Sequence, residues 1–321
     1  MNAVHGSVIA LVVALAVPIV HAQDKYPGKP IRMIVPFAPG GGGDTLARLV
    51  APPVSESFGR PVVVDNRLGG AGTIGTVQAA RSDADGYTLI VVTASYGANA
   101  ALYDLPYDPI DGIQPIALLG TTCLVVTVNP ALSIKTIPEL IAYAKAAPGK
   151  LNFGSGGTGD LAHLGSELFK LQTGIVYTHV PYKGSGPVMT ALLGGEVDMS
   201  FSSLVPSMPH LKAGRLRAIG VTTPKRWPVL PDVPAVNETV AGYDVTHWYG
   251  LWGPKGLPQE IVMRWNLEVA KVLRTDAVKK WLDREGVEAA GGPPEEFYER
   301  IRNDVQKWKK LATEARISVH N

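Results

Sequence analysis

Two glycine-rich loops of the same design constrain this chain more than any other feature. Pro36-Phe37-Ala38-Pro39-Gly40-Gly41-Gly42-Gly43-Asp44 and Gly154-Ser155-Gly156-Gly157-Thr158-Gly159-Asp160 each follow a short apolar run and precede an amphipathic stretch. Strand, glycine turn and helix are the parts of an open α/β sheet, which binds ligands at the carboxyl ends of its strands. Without side chains a backbone can approach a ligand closely, and a helix start offers unpaired N–H groups with a partial positive charge. Two such units predict two lobes sharing one anion or carboxylate site in the cleft between them. Asp44 is placed to cap the first helix, and Asp160 or Thr158 to cap the second.

The rest of the chain repeats this alternation, as an α/β protein with largely parallel sheets would. Strand-like runs fall at 31–35, 62–64, 89–92, 124–128, 151–153, 176–180, 197–201, 216–221 and 248–252. Helices are expected from near Asp44, over 74–81, and from the capping box Thr136–Glu139 to about Ala147. Another carries Leu161, Leu164, Leu168 and Leu171 on one stripe, and three more cover 259–274, 276–285 and 294–315. In the last, Phe297, Ile301, Val305, Trp308 and Leu311 recur at spacings of three and four, the mark of one buried face. LVVTVNPALSIKTIPEL and WYGLWGPKGLPQEIV echo each other as strand, proline turn and helix. Two lobes linked by two crossing strands would produce that echo. Lobe I is then 23–123 with 245–321, and lobe II is 124–244.

A length of 321 residues suits two domains. Lys plus Arg (30) nearly balance Asp plus Glu (28) without basic blocks, which argues against a nucleic-acid binder. The single cysteine excludes a disulfide framework and a cysteine-based zinc site; Cys123, in an apolar run, reads as a small buried hydrophobe. Residues 8–20 are apolar and uncharged, too short to span ~30 Å of hydrocarbon. Followed by Val20-His21-Ala22, they read as a signal peptide over 1–22, cleaved after Ala22, although the start lacks Lys and Arg. A secreted chain without disulfides points to the bacterial periplasm.

Catalytic constellations are not found. There is no serine in G-x-S-x-G and no H-E-x-x-H, and His163, His179, His210 and His247 show no metal-ligand spacing. His163, three residues after Asp160, suits core or capping support. Gly70-Ala71-Gly72-Thr73-Ile74-Gly75 spells the dinucleotide fingerprint, but the acidic residue expected about 20 positions on has no clear candidate. Tyr182-Lys183-Gly184-Ser185-Gly186-Pro187 forms a third loop in which Lys183 could supply a cation or simply face solvent. Thr93 and Ser95 in lobe I, and Ser202 and Ser203 in lobe II, end further strands. Hydroxyls and peptide N–H groups thus outnumber formal charges at the strand ends.

PFAPGGGGDTLAR, NRLGGAGTIG, DGYTLIVV, LPYDP, THVPYKGSGP, LLGGEVDMSF, HLKAGRLRAIGVT, LPDVPAV and YGLWGPKGLP follow one another along the whole mature chain. In that order they resemble the substrate-binding proteins of tripartite tricarboxylate transporters, the Bug family of periplasmic receptors. The resemblance implies a two-lobed type II periplasmic-binding-protein fold, each lobe a mostly parallel sheet flanked by helices, closing on a small organic acid. It implies a monomeric receptor, not an enzyme, with no cofactor and no metal, serving transporter membrane subunits; a sensor presenting its ligand to a signalling receptor would use the same fold. Carried over residue by residue, it places ligand contacts at Phe37, Pro39, Gly40, Gly41, Asp44 and Ser95 in lobe I. In lobe II it places them at Ser155, Gly157, Thr158, Gly159, His163, Tyr182, Lys183 and Ser203. Many relatives carry larger polar residues near Ser202-Ser203; the small ones here imply a roomier pocket, open to an aromatic or bulkier carboxylate.

Overall fold

In the computed structural model, which describes residues 26–314 and 317, the apolar run β1 (Ile31–Val35) lies in a sheet between β2 (Val62–Asn66) and β3 (Thr88–Thr93), parallel to both. The expected signal peptide lies outside the described residues. Between β1 and β2 runs α1 (Gly42–Phe58), helical through Pro52 and Pro53. Its buried face of Leu46, Ala47, Val50, Ala51, Val54 and Phe58 outweighs the poor helix propensity of the prolines. Then α2 (Thr73–Ala80) precedes β3, and α3 (Ser95–Leu102) follows it at once.

Next comes a single strand of 16 residues, β4 (Ile113–Val128). It is followed by α4 (Ile137–Ala146), β5 (Asn152–Ser155), α5 (Leu161–Thr173), β6 (Thr178–Pro181), α6 (Ser185–Gly194), β7 (Met199–Ser203), α7 (Leu204–Lys212) and β8 (Arg217–Val221). The chain ends with β9 (Thr246–Pro254), α8 (Gln259–Leu273), α9 (Asp276–Glu285), the two-residue β10 (Glu288–Ala289) and α10 (Pro294–Glu314).

The pairing of β4 organises the molecule. Residues 113–123 pair antiparallel with β9, which continues to β3, β1 and β2. From Leu124 to Val128 the partners are β7 and β8, and β7 continues to β5 and β6. Each sheet, with the helices packed on it, makes one lobe. The expected parallel order holds at β2-β1-β3 and β7-β5-β6; toward β4 and β9 it becomes antiparallel because these strands carry the chain between sheets. Thr222 ties the crossing: its Oγ1 accepts from Leu124 N at 3.0 Å and donates to Val245 O at 2.7 Å. Thr122 Oγ1 and Trp227 Nε1 each donate to Gly286 O at 2.8 Å, holding the crossing against the first lobe.

The Thr136 cap forms as expected, with its Oγ1 accepting from Glu139 N at 3.2 Å, while the glutamate reaches back to Lys135 N at 2.7 Å. The leucine stripe of α5 is only partly right. Leu161 and Leu164 are buried and Leu168 is half-buried, but Leu171, near the end of the helix, is 57% exposed. Cys123 is fully buried, as expected.

Candidate functional site

The loops after β1, β3, β5, β6 and β7 all converge on one face, at the carboxyl ends of the parallel strands. Where the two lobes meet lies a cavity of about 50 Å³, room for roughly three to five waters. The peptide edge of Gly41–Gly43, Asp44, Thr93 and Ser95 reaches it from the first lobe, with His247 from β9. Gly156, Asp160, Ala162, Ser185, Ser202 and Ser203 reach it from the second. Phe37, Leu124, Leu161, Val188 and Phe201 supply apolar wall. Ser202 and Ser203, the small residues expected to widen the pocket, both line this cavity.

The lobes are joined by hydrogen bonds. Ala38 N donates to Lys183 O at 3.0 Å, and Tyr103 Oη donates to Thr158 O at 2.7 Å. Leu161 N, the first peptide of α5, donates to Ser95 Oγ of the opposite lobe at 3.1 Å. Ser203 Oγ and Tyr249 Oη lie 2.9 Å apart. Such proximity requires glycine: a Cβ on Gly186 would stand 2.7 Å from Pro39 O across the cleft. The glycine-rich segment at 70–75 serves this contact too, since Ala71 packs on Gly157 and its carbonyl accepts from Asn99 Nδ2 at 2.7 Å.

The expected cap by Asp44 does not form: the helix is capped by Gly41 without a side-chain bond, and Asp44, inside the first turn, instead reaches back to accept from Gly40 N of the glycine loop at 3.0 Å. It also accepts from Arg48 Nε and Asn66 Nδ2, each at 3.0 Å. Burial pushes its carboxyl up, but these bonds and the Arg48 charge prevail and hold it below the usual carboxylate range. Asp160 caps α5, accepting from His163 N at 2.8 Å. Among the described residues no cation is paired with it, and burial pushes its carboxyl up to about 7 despite bonds from the amides of His163, Gly156 and Ala162. His247 is held neutral by burial, its pKa lowered to about 3, and its Nδ1 has no hydrogen-bond partner among the described residues.

Phe37, Gly41, Asp44, Ser95 and Ser203 are therefore brought together at the cavity. Ser155 lies beneath it, fully buried, with Oγ 2.6 Å from His179 Nε2. His163 stacks on His179 at 4.2 Å and accepts from Gly159 N through Nδ1 at 3.1 Å, so it supports the loop from below. Gly157, Thr158 and Lys183 lie at the lobe contact, the last two through their carbonyls, with the Lys183 side chain exposed. Pro39, Gly40 and Tyr182 line a separate outer groove of about 940 Å³. Asp160, His247, Thr93 and Ser202 reach the cavity although none was among the carried-over contacts. Thr93, Ser202 and the cap Asp160 already carried a signal as strand-end or loop residues, whereas His247, at the start of β9, carried none. Among the described residues no three His, Cys, Asp or Glu side chains are grouped to hold a metal, and no helix is long and apolar enough to cross a membrane.

The sequence profile of the tripartite tricarboxylate transporter family receptor matches residues 46–317. BugT of Bordetella pertussis is 36% identical over 306 residues, covering 94% of this chain and 93% of BugT. An R. palustris protein solved with adipate is 37% identical, with a TM-score of 0.87 over 91% of this chain and 99% of its own. MatC from Rhodopseudomonas palustris with bound malate is 30% identical, with a TM-score of 0.86 over 89% and 99%.

Proposed function

The chain belongs to the tripartite tricarboxylate transporter receptor family, and from that premise we propose that it captures a small organic acid between its lobes and delivers it to the membrane subunits of a secondary transporter. The family consists of periplasmic solute-binding proteins, not enzymes. The observation that carries the reading is the cavity between the lobes at the strand ends, built from peptide edges, hydroxyls and apolar wall. Its neighbours solved with adipate and malate support a carboxylate as the ligand class. A volume of about 50 Å³ favours a short aliphatic acid; a bulkier or aromatic one would need a wider closure.

In this reading lobe I is 23–123 with 245–321 and lobe II is 124–244. The switch of β4 from β9 to β7 after Cys123 supports that division. Export with cleavage after Ala22, and action as a monomer, belong to the same proposal. Closure follows from contacts that exist only when both lobes meet around the ligand, so ligand shifts the population toward the closed form.

Titration calorimetry of the purified mature protein against adipate, malate and benzoate, with small-angle scattering of each mixture, tests the reading. Saturable binding with a decrease in radius of gyration is expected. Binding of none of these acids, with unchanged scattering, would refute carboxylate capture.

A further inference from the structure

The walls of the cavity hold two carboxyl groups and no cationic side chain. Asp44 is compensated: Arg48, Asn66 and the Gly40 amide surround it. Asp160 is not. It is 6% exposed, and its hydrogen bonds come from backbone amides alone. An incoming carboxylate would meet a second negative charge in a narrow, largely desolvated space, where like charges repel more strongly than in bulk water.

We infer that Asp160 takes up a proton when a carboxylate enters the cavity, so that ligand capture is coupled to protonation of this side chain. The inference rests on the carboxylate reading above and deepens it. A protonated Asp160 turns from a repelling anion into a donor, and an O–H donating to a carboxylate makes a short, charge-assisted hydrogen bond. The step only moves a proton from solvent to an Asp160 carboxylate oxygen. The residue is prepared for it, since burial already brings its carboxyl to about 7 before any ligand charge is added.

The other groups around Asp160 do not take this role. Across the cavity lie Asp44 of α1, held ionised by its partners, and His247 of β9, held neutral by burial far below neutral pH. Tyr103 of α3 is bound to the Thr158 carbonyl, and burial raises its hydroxyl pKa further. On α5 itself, His163 already accepts from Gly159 N and stays neutral, its pKa lowered to about 4. Lys183, in the loop before α6, has an exposed side chain.

Calorimetry with adipate and malate from pH 6 to 9, in phosphate and in Tris, reads the coupling directly, because both acids are fully ionised over most of this range. At pH 8 the buffer dependence should report about one proton taken up per ligand, and affinity should fall about tenfold per pH unit above roughly pH 7. Asp160→Asn should abolish the uptake and flatten the profile. Asp160→Ser, which keeps a capping hydroxyl, should do the same, and His247→Gln should retain the slope; thermal melts check that each variant is folded. Wild-type affinity that is constant or rises with pH, or a slope that survives in both Asp160 variants, overturns the coupling and leaves carboxylate capture standing. No binding by the wild type even at pH 6 overturns carboxylate capture, and the coupling falls with it.

Discussion

The Tyr103 hydroxyl donates to the Thr158 carbonyl at 2.7 Å, joining α3 of the first lobe to the second glycine loop. This bond can form only in the closed molecule, so its energy favours closure and not folding of either lobe. A neutral hydrogen bond contributes about 0.5–1.5 kcal/mol net. Tyr103→Phe should therefore weaken ligand binding roughly two- to tenfold, with little change in melting temperature. Calorimetry alongside thermal denaturation separates the two effects.

Gly186, near the start of α6, faces the backbone of Pro39 across the cleft. Alanine suits a helix better than glycine by about 0.5–1 kcal/mol, so Gly186→Ala should leave the melting temperature equal or higher. Its added Cβ would lie 2.7 Å from Pro39 O, an approach that holds the lobes apart. Affinity should drop about tenfold or more, the equivalent of ~1.4 kcal/mol lost from the closed state. Retained affinity would mean that closure in solution is looser than in this structure.

Ala162 lies in the first turn of α5 and borders the cavity. Ala162→Leu keeps a good helix former while placing three more carbons into about 50 Å³. Binding of adipate and malate should be lost while the circular dichroism spectrum stays unchanged. Full binding by this variant would place the ligand elsewhere.

Stability should fall on acidification. Burial lowers the pKa of His163 and His179 to about 4 and that of His247 to about 3. Below the ordinary histidine range near 6.5 the unfolded chain takes up protons that the folded chain refuses, so each contribution is present above pH 6.5 and lost toward pH 4. Each buried histidine then removes on the order of 1 kcal/mol per pH unit. Asp160 acts in the opposite sense, since its raised pKa favours the folded state as pH falls from about 7 toward 3.8. Three groups outweigh one, so urea midpoints should decrease from pH 7 to pH 5, and His247→Gln should make that decrease shallower.

Much of this architecture is written in short windows of sequence. The strand–glycine–helix units at 31–58 and 152–173, the Thr136 cap and the period of α10 each depend on neighbours within a few residues. Phe37 and Gly41 stood out as parts of a glycine loop and Ser95 and Ser203 as strand-end hydroxyls, because the ends of parallel strands lie on one face of a sheet; naming them and Asp44 as ligand contacts came from the family resemblance. Three short helices, α3, α6 and α7, escaped that reading: α3 starts directly at a strand end, α6 is apolar around most of its surface, and α7 contains Pro209. Windows that small could not join 113–123 to 124–128 as one strand, because only its two sets of partners hold β4 extended over 16 residues.

What stayed out of reach arises between lobes. That Ser95 caps the first peptide of α5, that His247 enters the cavity from the start of β9, and that Asp160 is buried without a cation beside it among the described residues all depend on residues 66 or more positions apart, or on the packing of several elements at once. Residue type decides what chemistry a side chain can perform. Its desolvation and its partners, which exist only once the chain is folded and the lobes are closed, decide which form of that chemistry the site uses.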